Sequence, residues 1–289
     1  MDSTSLLTDH YELTMLQAAL RSEKAHRHSV FEVFARRLSG GRRFAVMAGT
    51  GRVLDAIERF RFRPDQIEFL TRSGVVDAPT ADWLAEFRFR GDVWGYPEGE
   101  LWFPGSPVLR VEGTFAEAVV LETLILSILN ADSAIATAAA RMTIAAGDRP
   151  CIEMGSRRTN EQAAVAAARA AWVAGFAATS NLEAGMKYQI PTVGTAAHSF
   201  TLLHDSEREA FEAQVAALGV GTTLLVDTYD TETGVATAIE VTGPGLGAVR
   251  LDSGDLGEVA KATRAQLDAA GNTDTKITVT SDLDEYAIA

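Results

Sequence analysis

A chain of 289 residues, 47% of them apolar, is long enough for one large domain or two ordinary ones with a sizeable core. Its 26 Lys and Arg against 39 Asp and Glu give a net charge of −13, which argues against a nucleic-acid-binding surface. Local arginine pairs, Arg36-Arg37, Arg42-Arg43 and Arg157-Arg158, still leave room for an anionic ligand, although the first two pairs read as solvated surface.

In chain order, Leu6 to Ala19 has helical periodicity, and Val30–Ala35 and Phe44–Ala48 alternate as strands do. Leu54–Phe62, Pro64–Arg72 and Ala81–Phe89 read as short helices. Asp92–Val111 carries a β-meander pattern, in which Pro97-Glu98-Gly99-Glu100 and Pro104-Gly105-Ser106-Pro107 separate runs of β-formers. Thr114-Phe115-Ala116-Glu117 is a capping box opening an apolar helix toward Gly147, with a break expected near Asn130–Ser133. That helix joins a first domain, 1–113, to a second, 114–289.

A βα rhythm follows. Strand-like runs lie at Cys151–Met154, Phe176–Thr179, Pro191–Gly194, Thr223–Asp227, Ala248–Leu251 and Lys276–Thr280. Between them, Thr159-Asn160-Glu161-Gln162 and Ser206-Glu207-Arg208-Glu209 cap helices, Leu182–Tyr188 is a short helix, and another helix runs from near Ser253–Asp255 to Gly271. Gly219-Val220-Gly221-Thr222 precedes a strand, so it is an αβ turn and not a phosphate loop. The fold class is therefore α/β, with parallel units in the second half. Six barrel strands are fewer than the usual eight, so the barrel is irregular and incomplete and the chain reads as C-terminally truncated, poorly packed and inactive in transfer by itself.

Cys151 is the single cysteine, a buried strand thiol that excludes an intrachain disulfide and suits a reducing compartment. The apolar stretches are interrupted by Glu122 and Arg169 and fall short of the ~20 uncharged residues of a membrane span. The N-terminus, with Asp2, Asp9 and Glu12, lacks a signal-peptide core. The expectation is a soluble, cytoplasmic protein.

The strand ends carry the chemistry. Gly194-Thr195-Ala196-Ala197-His198-Ser199 sets His198 after a strand end, where an imidazole serves as base, metal ligand or phosphoryl acceptor. His10, His26, His28 and His204 read as structural or exposed. Asp227 and Asp230, Asp252 and Asp255, and Asp282, Asp284 and Glu285 form acidic groups suited to Mg²⁺, with Asp227, Asp252 and Asp282 the candidate ligands. Capping of the following helices accounts for Asp255 or Asp284. It does not account for Arg250 beside Asp252, a pairing that suits an anionic substrate.

Together, Leu7-Thr8-Asp9-His10-Tyr11-Glu12, Phe31-Glu32-Val33-Phe34, Ala48-Gly49-Thr50-Gly51-Arg52, Glu153-Met154-Gly155-Ser156-Arg157-Arg158, the His198 segment, Asp227-Thr228-Tyr229-Asp230-Thr231 and Arg250-Leu251-Asp252-Ser253-Gly254-Asp255 resemble nicotinate phosphoribosyltransferase, of the type II phosphoribosyltransferases. The resemblance implies an N-terminal α/β domain packed on an irregular α/β barrel. It also implies formation of nicotinate mononucleotide and pyrophosphate from nicotinate and 5-phosphoribosyl-1-pyrophosphate, with ATP hydrolysis and Mg²⁺. By the same resemblance His198 is the phosphorylated histidine, Thr195 and Arg250 bind substrate, and Arg157 lies near the ribosyl pyrophosphate or the nicotinate carboxylate; Asp252, beside Arg250, is expected to support Mg²⁺ or the ribose. Tyr11 stacks on the pyridine, supplied by the partner chain of a homodimer. The sister activities on nicotinamide or quinolinate, and an inactive binding or dimerisation module, are the alternative readings. Thr280-Ser281-Asp282-Leu283-Asp284 departs from the family's Ser-Gly-Asp-Leu-Asp, where a glycine permits close backbone approach.

Overall fold

A computed structural model describes residues 3–38 and 40–289. They fall into two compact units, one running to Thr192 and the other spanning Val193–Ile288.

In the first unit, helix α1 (His10–Arg21) follows a short 3-10 turn, Ser5–Leu7, and precedes strands β1 (His28–Val33) and β2 (Ala45–Val46). Helices α2 (Thr50–Glu58), α3 (Pro64–Arg72) and α4 (Ala78–Ala85) come next. Strands β3 (Asp92–Gly95), β4 (Leu101–Trp102) and β5 (Leu109–Thr114) then lead to α5 (Phe115–Val119) and α6 (Glu122–Ala146). The runs expected as a meander do not pair in sequence. β5 lies between β1 and β3, antiparallel to both, while β4 pairs with β2. The 97–100 turn leads the chain across to β2, where Met47 N–H donates to Glu100 O and Gly99 N–H to Met47 O, each at 2.8 Å.

The Thr114 capping box forms, with Thr114 Oγ1 accepting from Glu117 N at 3.3 Å. The break in the helix that follows falls at Val120–Leu121, and α6 runs unbroken through Asn130–Ser133. The polar residues expected to interrupt it have partners instead. Ser133 Oγ accepts from Ala48 N at 3.2 Å and Thr137 Oγ1 from Val46 N at 3.0 Å, so α6 hydroxyls satisfy the backbone beside β2. Asp132, its side chain 1% exposed, pairs with Arg52 at 2.6 Å. By length and composition α6 is apolar enough to cross a membrane, contrary to the sequence reading, but here it packs on β2, α2 and α7 (Glu161–Val173). One core cluster takes in Leu13, Phe60, Leu84, Leu109, Leu121 and Leu129. α5 and the first turns of α6 thus share the core of residues 13–111, and the compact division falls at 192/193, not at the 113/114 boundary expected from the sequence.

The first unit ends with β6 (Ile152–Glu153), α7, β7 (Ala178–Thr179) and α8 (Leu182–Tyr188). Asn160, not Thr159, caps α7, its carbonyl accepting from Gln162 N and Ala163 N. β6 and β7 pair in parallel, and the run expected at Pro191–Gly194 contributes a single parallel bridge, Thr179 to Thr192. Cys151 sits just before β6, where burial pushes its thiol up.

The second unit comprises α9 (His198–Leu202), α10 (Glu207–Leu218), β8 (Thr223–Leu225), α11 (Thr231–Thr242), β9 (Ala248–Leu251), α12 (Leu256–Ala269), β10 (Lys276–Val279) and α13 (Glu285–Ile288). Its strands form a parallel sheet in the order β10-β9-β8, the register placing Thr223 and Lys276 opposite Ala248. α11 is absent from the sequence reading, although its N-cap signal is clear: Asp230 Oδ1 accepts from Thr233 N at 2.9 Å. Phe211, Leu224, Val235, Val249, Leu251 and Leu267 fill the core between sheet and helices, each large side chain contributing roughly 1.5–3 kcal/mol by burial.

Two glycines let the backbone close up beneath the site. A Cβ on Gly247, just before β9, would sit 2.1 Å from Gly221 O, and one on Gly234 would sit 2.2 Å from Val226 O. Since backbone atoms form the obstacle, Gly247→Ala is expected to destabilise the second unit by about 2 kcal/mol or more. Its chemical unfolding midpoint beside that of the parent protein checks this, and an unchanged midpoint contradicts it.

Candidate active site

Parallel strands point their C-terminal ends the same way, so residues just past β8, β9 and β10 gather at one edge of the sheet. Asp227 lies two residues past β8, Asp252 and Ser253 one and two past β9, and Thr280 one past β10; Arg250 is in β9 itself. The Thr195–His198 segment reaches the same place.

Asp227 is the buried centre, its side chain 2% exposed. Oδ2 accepts from Asp252 N–H at 2.8 Å and from the Ser253 hydroxyl at 2.7 Å. Oδ1 faces His198 Nε2 at 3.2 Å. A carboxylate only accepts, so this contact puts the imidazole proton on Nε2 and leaves the Nδ1 lone pair for chemistry. The His198 side chain is 42% exposed, so a ligand can reach it.

Arg250, 14% exposed at its side chain, is held on three sides. Nε donates to Thr280 Oγ1 at 2.8 Å, Nη1 to Thr195 Oγ1 at 2.8 Å and to Ala196 O at 3.1 Å, and Nη2 to Asp252 Oδ1 at 2.8 Å. The Thr280 hydroxyl also donates to Asp252 Oδ1. Burial, the largest single influence on Asp252, favours its neutral form. Hydrogen bonds from Thr280 and Arg250 and the positive charge of Arg250 outweigh it, and the carboxyl lies below its usual range.

The acidic groups thus separate by role. Asp230, Asp255 and Asp284 cap helices, accepting from Thr233 N, Glu258 N and Ala287 N. Asp227 and Asp252 face the histidine and the arginine. Asp282 is exposed beyond β10. No group of three or more His, Cys, Asp or Glu side chains converges to hold a metal among the described residues. The oxygens of Asp227 and Oδ1 of Asp252 already serve protein donors, so these residues do not fit a protein-made Mg²⁺ cage.

Tyr11 and Arg157 belong to the other unit. Tyr11, 43% exposed at the start of α1, donates its hydroxyl to Glu122 Oε1 at 2.9 Å. Its neighbour Glu12 is fully buried and accepts from Thr123 N at 2.7 Å, fastening α1 to the first turn of α6. Burial and the hydrogen bond to Glu122 push the Tyr11 phenol up. Arg157 is exposed in the turn after β6. Sequence reasoning did not single out Ser253, Thr280 or Glu207. Glu207 opens α10; burial, and then the charges of Asp227 and Asp230, raise its carboxyl, and its Oε1 is buried without a hydrogen-bond partner. No local pattern marks these three, because the groups that Ser253 and Thr280 bond and the charges that Glu207 feels lie on other segments of the chain.

The family model for the nicotinate phosphoribosyltransferase N-terminal domain matches residues 6–130. A nicotinate phosphoribosyltransferase of Mycobacterium tuberculosis, pncB1, is 62% identical over all of this chain, which spans 66% of that relative's length. The Bacillus subtilis enzyme of the same name is 38% identical over 99% of the chain and 60% of its own length. Among solved structures, human nicotinic acid phosphoribosyltransferase superposes with a TM-score of 0.83 at 29% identity, covering 98% of this chain and 69% of that one. The fold is that of a phosphoribosyltransferase of the α/β type. The chain belongs to the nicotinate phosphoribosyltransferase family.

The Asp252 carboxyl lies lower in the folded protein than in the unfolded chain, so its stabilising contribution is present above the ordinary carboxylate pKa of about 3.9 and is lost as pH falls through the folded value. Asp252→Asn is therefore expected to be less stable than the parent at pH 7 and closer to it near pH 3. Urea unfolding of both proteins at the two pH values checks this, and a gap that does not narrow contradicts it.

Proposed function

We propose that this protein acts in nicotinate phosphoribosyl transfer: the pyridine nitrogen of nicotinate displaces pyrophosphate from the anomeric carbon of 5-phosphoribosyl-1-pyrophosphate, giving nicotinate mononucleotide for NAD biosynthesis. The observation that carries this reading is the pairing of His198 with the buried Asp227 beside an Arg250 already tied to Thr195. The names of the relatives that match the chain support the choice of nicotinate.

In this reading His198 Nδ1 attacks the γ-phosphorus of ATP and ADP departs. Asp227 keeps the Nε2 proton in place and offsets the positive charge that grows on the imidazole. Arg250, with Thr195, holds the nicotinate carboxylate through donors the protein leaves over. Asp252 keeps the guanidinium oriented and serves the ribose side. Arg157 supplies positive charge toward an anionic substrate group. Any Mg²⁺ would come bound to the substrate and not be caged by the protein, since Asp227 and Oδ1 of Asp252 are committed to protein donors. The homodimer, with Tyr11 arriving from the partner chain to stack on the pyridine, and the cytoplasmic setting belong to the same reading.

Label from γ-labelled ATP is expected to appear on the protein as an acid-labile phosphate, to vanish in His198→Ala, and to fall by at least tenfold in Asp227→Asn, where the amide no longer offsets imidazolium charge. Equal labelling of the parent and His198→Ala proteins rules the assignment out. Tyr11→Ala is expected to weaken nicotinate binding by about 1–3 kcal/mol, the range of aromatic–base stacking, and Tyr11→Phe by less, because the ring face makes the contact. Calorimetric titration with nicotinate measures both, and unchanged affinity in the alanine variant removes Tyr11 from the site.

A further inference from the structure

Arg250 has five N–H donors, and four hydrogen bonds tie them to Thr280, Thr195, Ala196 and Asp252. A guanidinium that binds a carboxylate must keep a donor free and aim it outward. Here the spare donor is the second hydrogen of Nη2, and its direction is set by where the other bonds hold the plane. The bonds on the Nη1 edge come from the segment before α9, and the bond to Asp252 comes from the loop after β9, two residues from Arg250 itself.

The Nε edge is held by Thr280 alone among the bonds found. Thr280 follows β10, and its own backbone is fixed, since Thr280 N–H donates to Leu251 O at 2.8 Å in continuation of the β9–β10 ladder. Its hydroxyl has one hydrogen and two lone pairs. The hydrogen goes to Asp252 Oδ1, and a lone pair accepts from Arg250 Nε. One side chain therefore bonds to both the cation and the anion of an ion pair that is itself in direct contact. Without it, Asp252 can take the Nε and Nη2 edge of Arg250 in a two-pronged grip, the geometry that arginine and carboxylate prefer. Reaching that grip turns the guanidinium plane, which strains the Thr195 and Ala196 bonds and swings the spare Nη2 N–H away from its present direction.

We propose that Thr280 is a positioning residue, whose hydroxyl keeps Asp252 off the Nε edge of Arg250 and so holds the guanidinium plane, and with it the one spare N–H, aimed at the carboxylate of the substrate. The proposal rests on the reading of Arg250 as the carboxylate-binding group. It assigns to the end of β10 a part in substrate selection.

The experiment uses the full chain and two readouts. The first is the exchange rate of the Arg250 Nε–H proton with water by NMR, its resonance assigned by its loss in Arg250→Lys. The second is nicotinate affinity by calorimetric titration. The parent protein and Thr280→Ser, which keeps the hydroxyl, should show a protected Nε–H and affinities within twofold of each other. Thr280→Val, which keeps the shape but not the hydroxyl, should change the Nε–H exchange rate and weaken nicotinate by about tenfold, as for a lost hydrogen bond to a charged group. A parent Nε–H that exchanges as fast as a solvent-exposed arginine overturns the proposal without any variant. So does a valine variant with parental exchange and affinity, or a serine variant that fails to restore both. Should the valine variant not fold, Thr280→Ala replaces it and the same outcomes decide. A parent protein that binds no nicotinate overturns the functional reading instead, while the exchange rates still report whether Thr280 positions Arg250.

Discussion

The site depends on one constraint: two buried or half-buried charges must be satisfied by groups that come from different strands. Asp227, almost without solvent, is satisfied by the backbone N–H of Asp252 and the hydroxyl of Ser253, both from the loop after β9, and by His198 from the segment ahead of α9. Arg250 is satisfied by the same segment and by the residue after β10. An unpaired charge at that depth would cost several kcal/mol, so the loops that meet these two side chains are locked to one another. The catalytic geometry and the folding of this edge of the sheet are thus one problem.

That arrangement explains why the strands beneath it are short and tightly drawn. The parallel order β10-β9-β8 puts the three loops side by side. Gly247 and Gly234 allow β9 and α11 to approach neighbouring carbonyls more closely than any side chain permits. Leu224, Val249 and Leu251 pack in one buried cluster on the same strands whose ends carry the polar groups. In the other unit the same logic operates at a different place. Glu98 accepts two bonds from Arg169, at 2.8 and 2.6 Å, and Asp132 pairs with Arg52, so charged residues of the long helix and of the 97–100 turn are paired within the fold.

Most of the helices and the strand ends were legible in the sequence. The bounds of α3, α8 and β9 were read as they stand, and the caps Thr114 and Ser206 do what their spacing implies. Errors came where a non-local partner changed a local preference. Asn130–Ser133 reads as a breaker, yet the backbone of Val46–Ala48 gives Ser133 and Thr137 something to bond, and the helix continues. The 92–111 runs have meander spacing, but β4 finds its partner in β2. Strand propensity at Pro191–Gly194 is real, yet only Thr192 finds a bridge there.

The sequence by itself determined the βα alternation, the residue types at the strand ends and the resemblance that binds them into one family, because periodicity, caps and ordered motifs are written in adjacent residues. It placed His198, Asp227, Arg250, Asp252 and Thr195 at those ends. Only the tertiary structure decided which acids cap helices and which face the histidine, how many donors Arg250 has left, and that Thr280, Ser253 and Glu207 belong to the neighbourhood. The reason is physical: a hydrogen-bond partner 25 to 55 residues away is selected by strand order and register, which no local run of side chains encodes.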